Sequence, residues 1–328
     1  MHALVTGASG FLGLYVVEQL VARGERVRAM TRRDDPQLTR LGVEIVRADL
    51  RNREAVMAAC QGVDVVFHIG GIAGMGGLWK DYYENNTLGA QYVVEGCLRH
   101  GIGRLVYTSS PSVTFNGCSQ NGVDESAPYP KHWLCHYAHS KALAEQHVLA
   151  SNGQNGLLTC ALRPHLIWGP RDHHLIPTVL QRARSGQLRQ IGDGTNLIDM
   201  LYVENAAMAH LQAADSLLPN SPVAGQAYFI SQGQPVNCWT WINEILALAG
   251  LPPVRKKVSL RSARWIGTAY ELIYWLLHLR GDPPLSRFMA AQMAHSHYFN
   301  IARARKDFGY SPEISTVEGM RRLAAAGL

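Results

Sequence analysis

The chain has 328 residues, enough for one large core or two smaller ones, since domains usually run to about 100–200 residues. Its formal net charge is +6, yet the basic residues form no dense block, the nearest being Arg255-Lys256-Lys257 followed by Arg261 and Arg264. That pattern argues against nucleic acid and leaves an anionic cofactor, an acidic substrate or a membrane surface as the partner of the positive excess.

In chain order, the first apolar run covers residues 3–5 and leads into Thr6-Gly7-Ala8-Ser9-Gly10-Phe11-Leu12-Gly13, followed by a helical pattern to about residue 23. A glycine triplet between a strand and a helix predicts a dinucleotide site. Gly7 allows the tight turn, Gly10 lets backbone approach a pyrophosphate, and Gly13 lets helix and strand pack closely. Ser9, Phe11 and Leu12 complete the loop and the helix N-terminus, whose free N–H groups and positive dipole end favour phosphate.

Further β-rich runs follow at residues 27–30, 43–46, 63–69, 105–108 and 157–162, with helical patterns between most of them. This rhythm predicts an α/β fold, a Rossmann-type doubly wound parallel sheet with right-handed crossovers, whose ligands bind beyond the C-terminal strand ends. Past about residue 168 the alternation breaks into Gly- and Pro-punctuated pieces. Residues 1–165 are therefore expected to bind the cofactor, with the chain returning to the sheet near 206–231, where Ala227-Tyr228-Phe229-Ile230 reads as a strand. Residues 166–205 and 232–328 are expected to form a smaller, irregular substrate lobe. Within it, residues 265–279 are apolar almost all round, interrupted by Glu271 and His278, and too short for a bilayer span of about 20 residues. A buried or lid helix is the simplest expectation there; the functional alternative is an apolar surface for a membrane, a partner protein or a long acyl substrate.

Six cysteines (Cys60, Cys97, Cys118, Cys135, Cys160, Cys238) include no Cys-x-x-Cys pair, and no cleavable signal precedes the first strand, which reads as reduced thiols in a cytoplasmic protein. Of fourteen histidines, His173-His174 and His132/His136 come nearest to ligand spacing without a completed donor set, so no metal is expected.

The candidate chemistry lies at two places. Tyr137-Ala138-His139-Ser140-Lys141 puts a phenol and an ammonium one helical turn apart. A neighbouring cation favours phenolate and is expected to lower the Tyr137 pKa from about 10, fitting it to exchange a proton with an alcohol or carbonyl oxygen. Thr108-Ser109-Ser110 ends the fifth strand at the rim where a cofactor ring would lie, and supplies a hydroxyl for the substrate oxygen.

Together these features resemble the extended short-chain dehydrogenases/reductases, in the branch of 3β-hydroxysteroid dehydrogenase-like enzymes, over nearly the whole chain. The resemblance includes Ala48-Asp49-Leu50, His68-Ile69-Gly70-Gly71, Asn86-Thr87-Leu88-Gly89-Ala90, Tyr107-Thr108-Ser109-Ser110-Pro111-Ser112-Val113, Leu162-Arg163-Pro164-His165-Leu166-Ile167-Trp168-Gly169-Pro170, Gly192-Asp193-Gly194 and Tyr202-Val203-Glu204-Asn205. It implies Tyr137 as general acid/base, Lys141 on the nicotinamide ribose, and Ser110 on the reacting oxygen. It also implies Asp49 and Leu50 at the adenine, Gly70 and Gly71 along the cofactor's middle, Thr108 at the cofactor rim, Pro164 and His165 near the nicotinamide, and Asn86 as a brace. Homodimers pairing helices at about 89–100 and 137–151 follow from the same resemblance.

Two departures stand out. Gly70-Gly71 replaces the usual Ala-Ala, which predicts more room or a looser loop. Members using NAD often carry an acid at the end of the second strand for the ribose 2′-OH; here Met30-Thr31-Arg32-Arg33 offers two guanidinium groups suited to a 2′-phosphate, which favours NADP(H) over NAD(H), with Asp34 and Asp35 as the competing acids. The resemblance further implies a lipid-like β-keto acid, a long-chain 2-alkyl-3-oxoalkanoic acid, as substrate. Pathway partner enzymes or a membrane surface would then meet residues 265–279, and Arg171, His173 or His174 would be available for the carboxylate. A sterol-type 3β-dehydrogenase, a nucleotide-sugar epimerase and a catalytically silent NADP-sensing interaction protein are the alternatives.

Overall fold

A computed structural model describes residues 1–279 and 281–327. The apolar runs become a seven-stranded sheet: β1 (His2–Thr6), β2 (Arg26–Thr31), β3 (Glu44–Arg47), β4 (Val65–His68), β5 (Arg104–Thr108), β6 (Leu158–Pro164) and β7 (Gln226–Ile230). The order is β3-β2-β1-β4-β5-β6-β7 and every pairing is parallel. Parallel sheets need both faces covered, which explains why β1 and β4 are buried along their whole length. Alternate residues of β1 serve opposite cores: Ala3 and Val5 join Leu12, Val16 and Leu20, while Leu4 joins Val66, Val93 and Val148.

The helices that matter to the site are α1 (Phe11–Ala22), α2 (Gly89–His100), α3 (His136–Ala150), α4 (Leu175–Arg184), α5 (Val203–Ser216), α6 (Cys238–Leu248), α7 (Leu260–Leu276) and α8 (Arg287–Ala294). The first core packs α1 and α5 on one face of the sheet, and the second packs α2 and α3 on the other. Beyond β6 the chain builds short pairings, among them Ile167–Trp168 with Leu201–Tyr202, around a third core centred on Trp168, Tyr202, Trp239 and Trp241. A four-stranded sheet made of Gln120–Val123, Leu197–Ile198, Val236–Asn237 and His297–Phe299 ties that region to the loop after β5.

The expectation of a buried helix over residues 265–279 is overturned. Only Ala263 and Gly267 of α7 are buried, and Trp265 and Trp275 are each 70% exposed. A narrow strip of small residues seats the helix: a Cβ on Gly267 would stand 2.8 Å from the backbone carbon of Ser286. Leu260 packs against the third core, but most of the helix's other large apolar side chains, from Trp265 to Leu276, are exposed. No described helix is long and apolar enough to cross a membrane.

All six cysteines are free and five are buried. Among the described residues no group of three or more His, Cys, Asp or Glu converges, and His132 precedes α3, so it does not share a helix turn with His136.

Candidate active site

The glycine loop is shaped by close approach. Gly7 adopts φ +66°, and a Cβ there would lie 2.6 Å from Gly70 Cα, while a Cβ on Gly13 would lie 2.1 Å from the Gly7 carbonyl oxygen. α1 starts after Gly10 with no side-chain cap and no acid in its first turn, leaving its positive end open to an anion. This cradle fits the pyrophosphate of a dinucleotide. Ser9 Oγ lies 2.8 Å from Thr31 Oγ1, joining the loop to the end of β2, and Leu12 is buried in the first core while Phe11 sits edge-on to Tyr15.

At the end of β2 stands Thr31, not an acid. Arg32 and Arg33 follow, exposed, and neither guanidinium has an acceptor among the described residues. The two competing acids are engaged elsewhere: Asp34 pairs with Arg47, and Asp35 caps the helix Pro36–Arg40 by accepting from Gln37 N. Asp49 lies two residues beyond β3, where the Arg51 guanidinium holds its carboxyl down at about 2, so it stays ionised. Leu50 packs between Gly70 and Gly89.

α3 carries Tyr137, Lys141 and Glu145 at four-residue spacing, which places them along one face. The Lys141 ammonium is buried, donates to the Thr108 carbonyl at 2.5 Å, and lies 4.3 Å from the Tyr107 ring centre. Burial brings Lys141 down to about 7, opposed by Glu145. Ser110 Oγ accepts from Ser112 N at 3.2 Å and from the Ser112 hydroxyl at 2.9 Å, which leaves its own proton free to donate. Ser109 Oγ, by contrast, is buried without a partner.

The expected lowering of the Tyr137 pKa does not hold. Burial dominates and raises it above the usual phenol value, and the lowering influence is the Ser110 hydroxyl. Lys141 is turned toward Thr108 O and itself loses charge near neutral pH, so it does not drive the phenol to ionise. Tyr137 is therefore held protonated at neutral pH, as a proton donor must be.

Polar residues hold this arrangement, Asn86 among them. Asn86 sits in a π-helical segment, Tyr83–Leu88; it accepts from Ile72 N at 2.8 Å and donates to Ile72 O and Ser140 Oγ, each at 3.0 Å. Ser140 Oγ in turn donates to Tyr137 O, and Thr87 Oγ1 donates to Ser140 O. Asn86 is thus a brace between the β4 loop and the start of α3. Glu145 and Arg163, 0% and 4% exposed, form a two-pronged pair to which the Tyr129 hydroxyl adds a third bond. His68 Nδ1 is 2.7 Å from Thr6 Oγ1, which also accepts from Gly70 N; burial and then Lys141 hold His68 at about 3, neutral.

Four further expectations need correction. The Gly70-Gly71 pair leaves no spare room, because a Cβ would meet Leu50 Cδ1 at 3.0 Å from Gly70 and Asn86 Oδ1 at 2.8 Å from Gly71. Thr108 serves the site through its carbonyl, since its hydroxyl lies 2.8 Å from His210 Nε2. Pro164 ends β6, but the His165 ring turns into a buried pair with His297, 2.6 Å between Nε2 and Nδ1. Arg171 is held by both oxygens of Glu18 and stacks on Tyr15, 4.0 Å from the ring centre, so it is not open to a substrate carboxylate; His173 packs against Phe11 and His174.

Residues 4–260 match the model of the 3-beta hydroxysteroid dehydrogenase/isomerase family. The chain belongs to that family. Family relatives include the 2-alkyl-3-oxoalkanoate reductases of Stenotrophomonas maltophilia, 46% identical over 99% of both chains, and of Shewanella oneidensis, 46% identical over 99% of this chain and 86% of that one. The human sterol-4-alpha-carboxylate 3-dehydrogenase, decarboxylating, is 32% identical over 97% of this chain and 86% of its own. Among solved structures, gox2253 superposes with a TM-score of 0.78 at 22% identity, covering 99% of this chain and 97% of that one. MoeE5 in complex with UDP-glucose and NAD gives 0.75 at 23%, covering 99% and 98%. These likenesses show the fold, while the family match shows a chain of the dehydrogenase/reductase class.

Proposed function

We propose that the protein is an NADP(H)-dependent reductase that converts the ketone of a long-chain 2-alkyl-3-oxoalkanoic acid to the 3-hydroxy acid. The observation that carries this reading is a protonated Tyr137 set in an apolar wall of Phe115, Trp133, Leu134, Cys135 and Phe288. Two relatives bearing the name 2-alkyl-3-oxoalkanoate reductase at 46% identity support the same substrate class.

A bound nicotinamide supplies hydride to the ketone carbon. Tyr137 gives its proton to the ketone oxygen, and Ser110 donates to the same oxygen as charge develops on it. Lys141 holds the ribose and balances charge left on the tyrosine oxygen. Gly7, Ser9, Gly10, Phe11, Leu12 and Gly13 seat the pyrophosphate, Asp49 and Leu50 the adenine, Gly70, Gly71, Pro164 and the backbone at Thr108 and His165 the ring side, and Arg32 and Arg33 a 2′-phosphate. In this reading residues 1–165 with 206–231 hold the cofactor, 166–205 and 232–328 the substrate, and α2 with α3 pairs two copies into a dimer. The test is cofactor absorbance: the purified protein is expected to oxidise NADPH faster than NADH with a long-chain 2-alkyl-3-oxo acid. Turnover of sterols or nucleotide sugars in its place would replace the reading, and NADP(H) binding without any carbonyl turnover would favour a sensor.

The exposed apolar face of α7 is proposed to rest on an anionic lipid surface, with Arg255, Lys256, Lys257, Arg261 and Arg264 exposed beside it. Wild-type protein is expected to float with anionic phospholipid vesicles. The double variant Trp265→Ser/Trp275→Ser is expected to lose about tenfold or more in vesicle affinity, since each large apolar side chain contributes about 1.5–3 kcal/mol when buried. Equal flotation of the two proteins would leave a partner enzyme as the occupant of this face.

A further inference from the structure

A 2-alkyl-3-oxo acid brings a carboxylate into an apolar pocket, where an unpaired charge is costly. A cation at the pocket would offset that cost. Of the cations near the site, Lys141 is committed to Thr108 O, Arg163 to Glu145, Arg171 to Glu18 and Arg287 to Glu271. Burial also pulls the His136 and His139 pKa values down, which keeps both neutral.

Arg182, in the last turn of α4, is different. Among the described residues, the partly or fully buried arginines are Arg28, Arg104, Arg163, Arg182, Arg303 and Arg322. Five of these donate to oxygen: Arg28 to Glu44, Arg104 to Ala214 O, Arg163 to Glu145, Arg303 to Gln226 and Arg322 to Glu204. Among the described residues Arg182 donates only to a sulfur, Met289 Sδ at 3.1 Å. A half-buried guanidinium without an oxygen acceptor bears a desolvation cost; burial is the leading influence lowering its pKa, and the charge of Asp282 opposes it only in part.

Its surroundings lead to the reacting centre. Met289 lies on α8 next to Phe288, which packs in the same apolar cluster as Phe115, Cys135 and Tyr137. Asp282, the acid that acts on Arg182 from a distance, forms no ion pair with it and instead accepts from Met75 N and Gly76 N, both at 2.6 Å. Met75 belongs to the Tyr137 cluster as well. Arg182 is thus tied to the residues around Tyr137 by two links, Met289 beside Phe288 and Asp282 beside Met75, and among the described residues its donors meet no oxygen.

We infer that Arg182 binds the carboxylate of the substrate and sets the preference of the enzyme for an acid over its neutral analogues, an inference that rests on the reductase reading above. A planar guanidinium matches a carboxylate in two-pronged geometry, and the apolar walls strengthen that contact. A residue that binds ground state and transition state alike acts on KM more than on kcat.

The experiment compares wild type, Arg182→Met, Arg182→Lys and, as a control on the exposed side of the same helix, Arg184→Met. Each is assayed with a 2-alkyl-3-hydroxy acid and with its methyl ester in the oxidative direction, where the substrate does not decarboxylate. Calorimetry of palmitate and of hexadecanol with the NADP-loaded protein gives a second reading that needs no turnover. The expected result is a fall of about 10- to 100-fold in the acid-over-ester ratio of kcat/KM for Arg182→Met, carried by KM. Partial recovery in Arg182→Lys, no change of the ratio in Arg184→Met, and a parallel loss of palmitate affinity are expected with it. The same acid preference and the same palmitate affinity in Arg182→Met as in wild type would overturn the inference while the reductase reading stands. Arg182-dependent palmitate binding by a wild type that turns over neither substrate would support the carboxylate site and overturn the reductase reading.

Discussion

Replacing Tyr137 with phenylalanine is expected to lower the single-turnover rate of ketone reduction by about 10²- to 10⁴-fold, the usual contribution of a positioned proton donor. The substitution removes one oxygen from a ring whose body stays packed against Phe115, Cys135 and Ala138, so the fold and the cofactor cradle should survive it. Burial raises the phenol's pKa, and the direction matters: a phenol held above its ordinary value is protonated at neutral pH and can give its proton to a ketone oxygen. Lys141 titrates lower, at about 7, and in the proposed mechanism its ammonium form holds the ribose and balances negative charge on the tyrosine. Lys141 is protonated below that pKa, so kcat/KM for reduction should be full below about pH 7 in the free enzyme and fall as pH rises through it. A phenylalanine variant has no proton to give and should be slow across the whole range. Stopped-flow absorbance on the NADPH-loaded protein checks both statements. A loss under tenfold would assign the proton to another group and with it refute the role given to Tyr137.

How far the sequence could lead depended on how local each feature is. The Gly7/Gly10/Gly13 loop was legible because strand, turn and helix are consecutive, and the collision of a Gly13 Cβ with Gly7 O involves residues six apart. The seven strands were legible for a similar reason: a strand covered on both faces reads as an apolar run. The pairing of Tyr137 with Lys141 followed from helical spacing alone. Their protonation did not, because it depends on burial, on the Ser110 hydroxyl from the β5 loop and on a Thr108 carbonyl 33 residues away in the chain. Arg171 looked free until Glu18, 153 residues earlier, closed on it. Gly70-Gly71 read as slack because Asn86 and Leu50, which fill the space, come from other segments. For residues 265–279 composition showed an apolar helix but not which side would meet the protein. The small pair Ala263 and Gly267, four apart, marked the seat of that helix and could have been read as such. His68, Glu145 and Arg182 offered no local signal: each is defined by partners, or by the lack of one, that only the fold brings near.

Removing both guanidinium groups in Arg32→Ala/Arg33→Ala is expected to weaken NADPH binding by about 30- to 1,000-fold, while NADH binding changes by less than about threefold. The two side chains follow Thr31 at the C-terminal end of β2, the edge where the adenosine ribose lies in this sheet architecture. Contacts between exposed charges are ordinarily weak. A 2′-phosphate changes the balance, because it is dianionic, accepts in two-pronged geometry and enters a site where Arg32 and Arg33 have no competing acceptor. The nearest acids cannot take its place: Asp34 is drawn to Arg47, and the Asp35 carboxylate is spent on Gln37 N. With Thr31 at the strand end, the last residue of β2 carries no carboxylate to hold a free ribose hydroxyl, and in the proposed reading the two arginines favour NADPH over NADH. Titration of both cofactors into both proteins at two salt concentrations measures the difference, and the loss of two phosphate contacts should also flatten the salt dependence of NADPH binding. If the double variant still preferred NADPH as strongly as wild type, the selectivity would have to come from the glycine loop through Ser9, whose hydroxyl lies beside Thr31 at the same corner of the site.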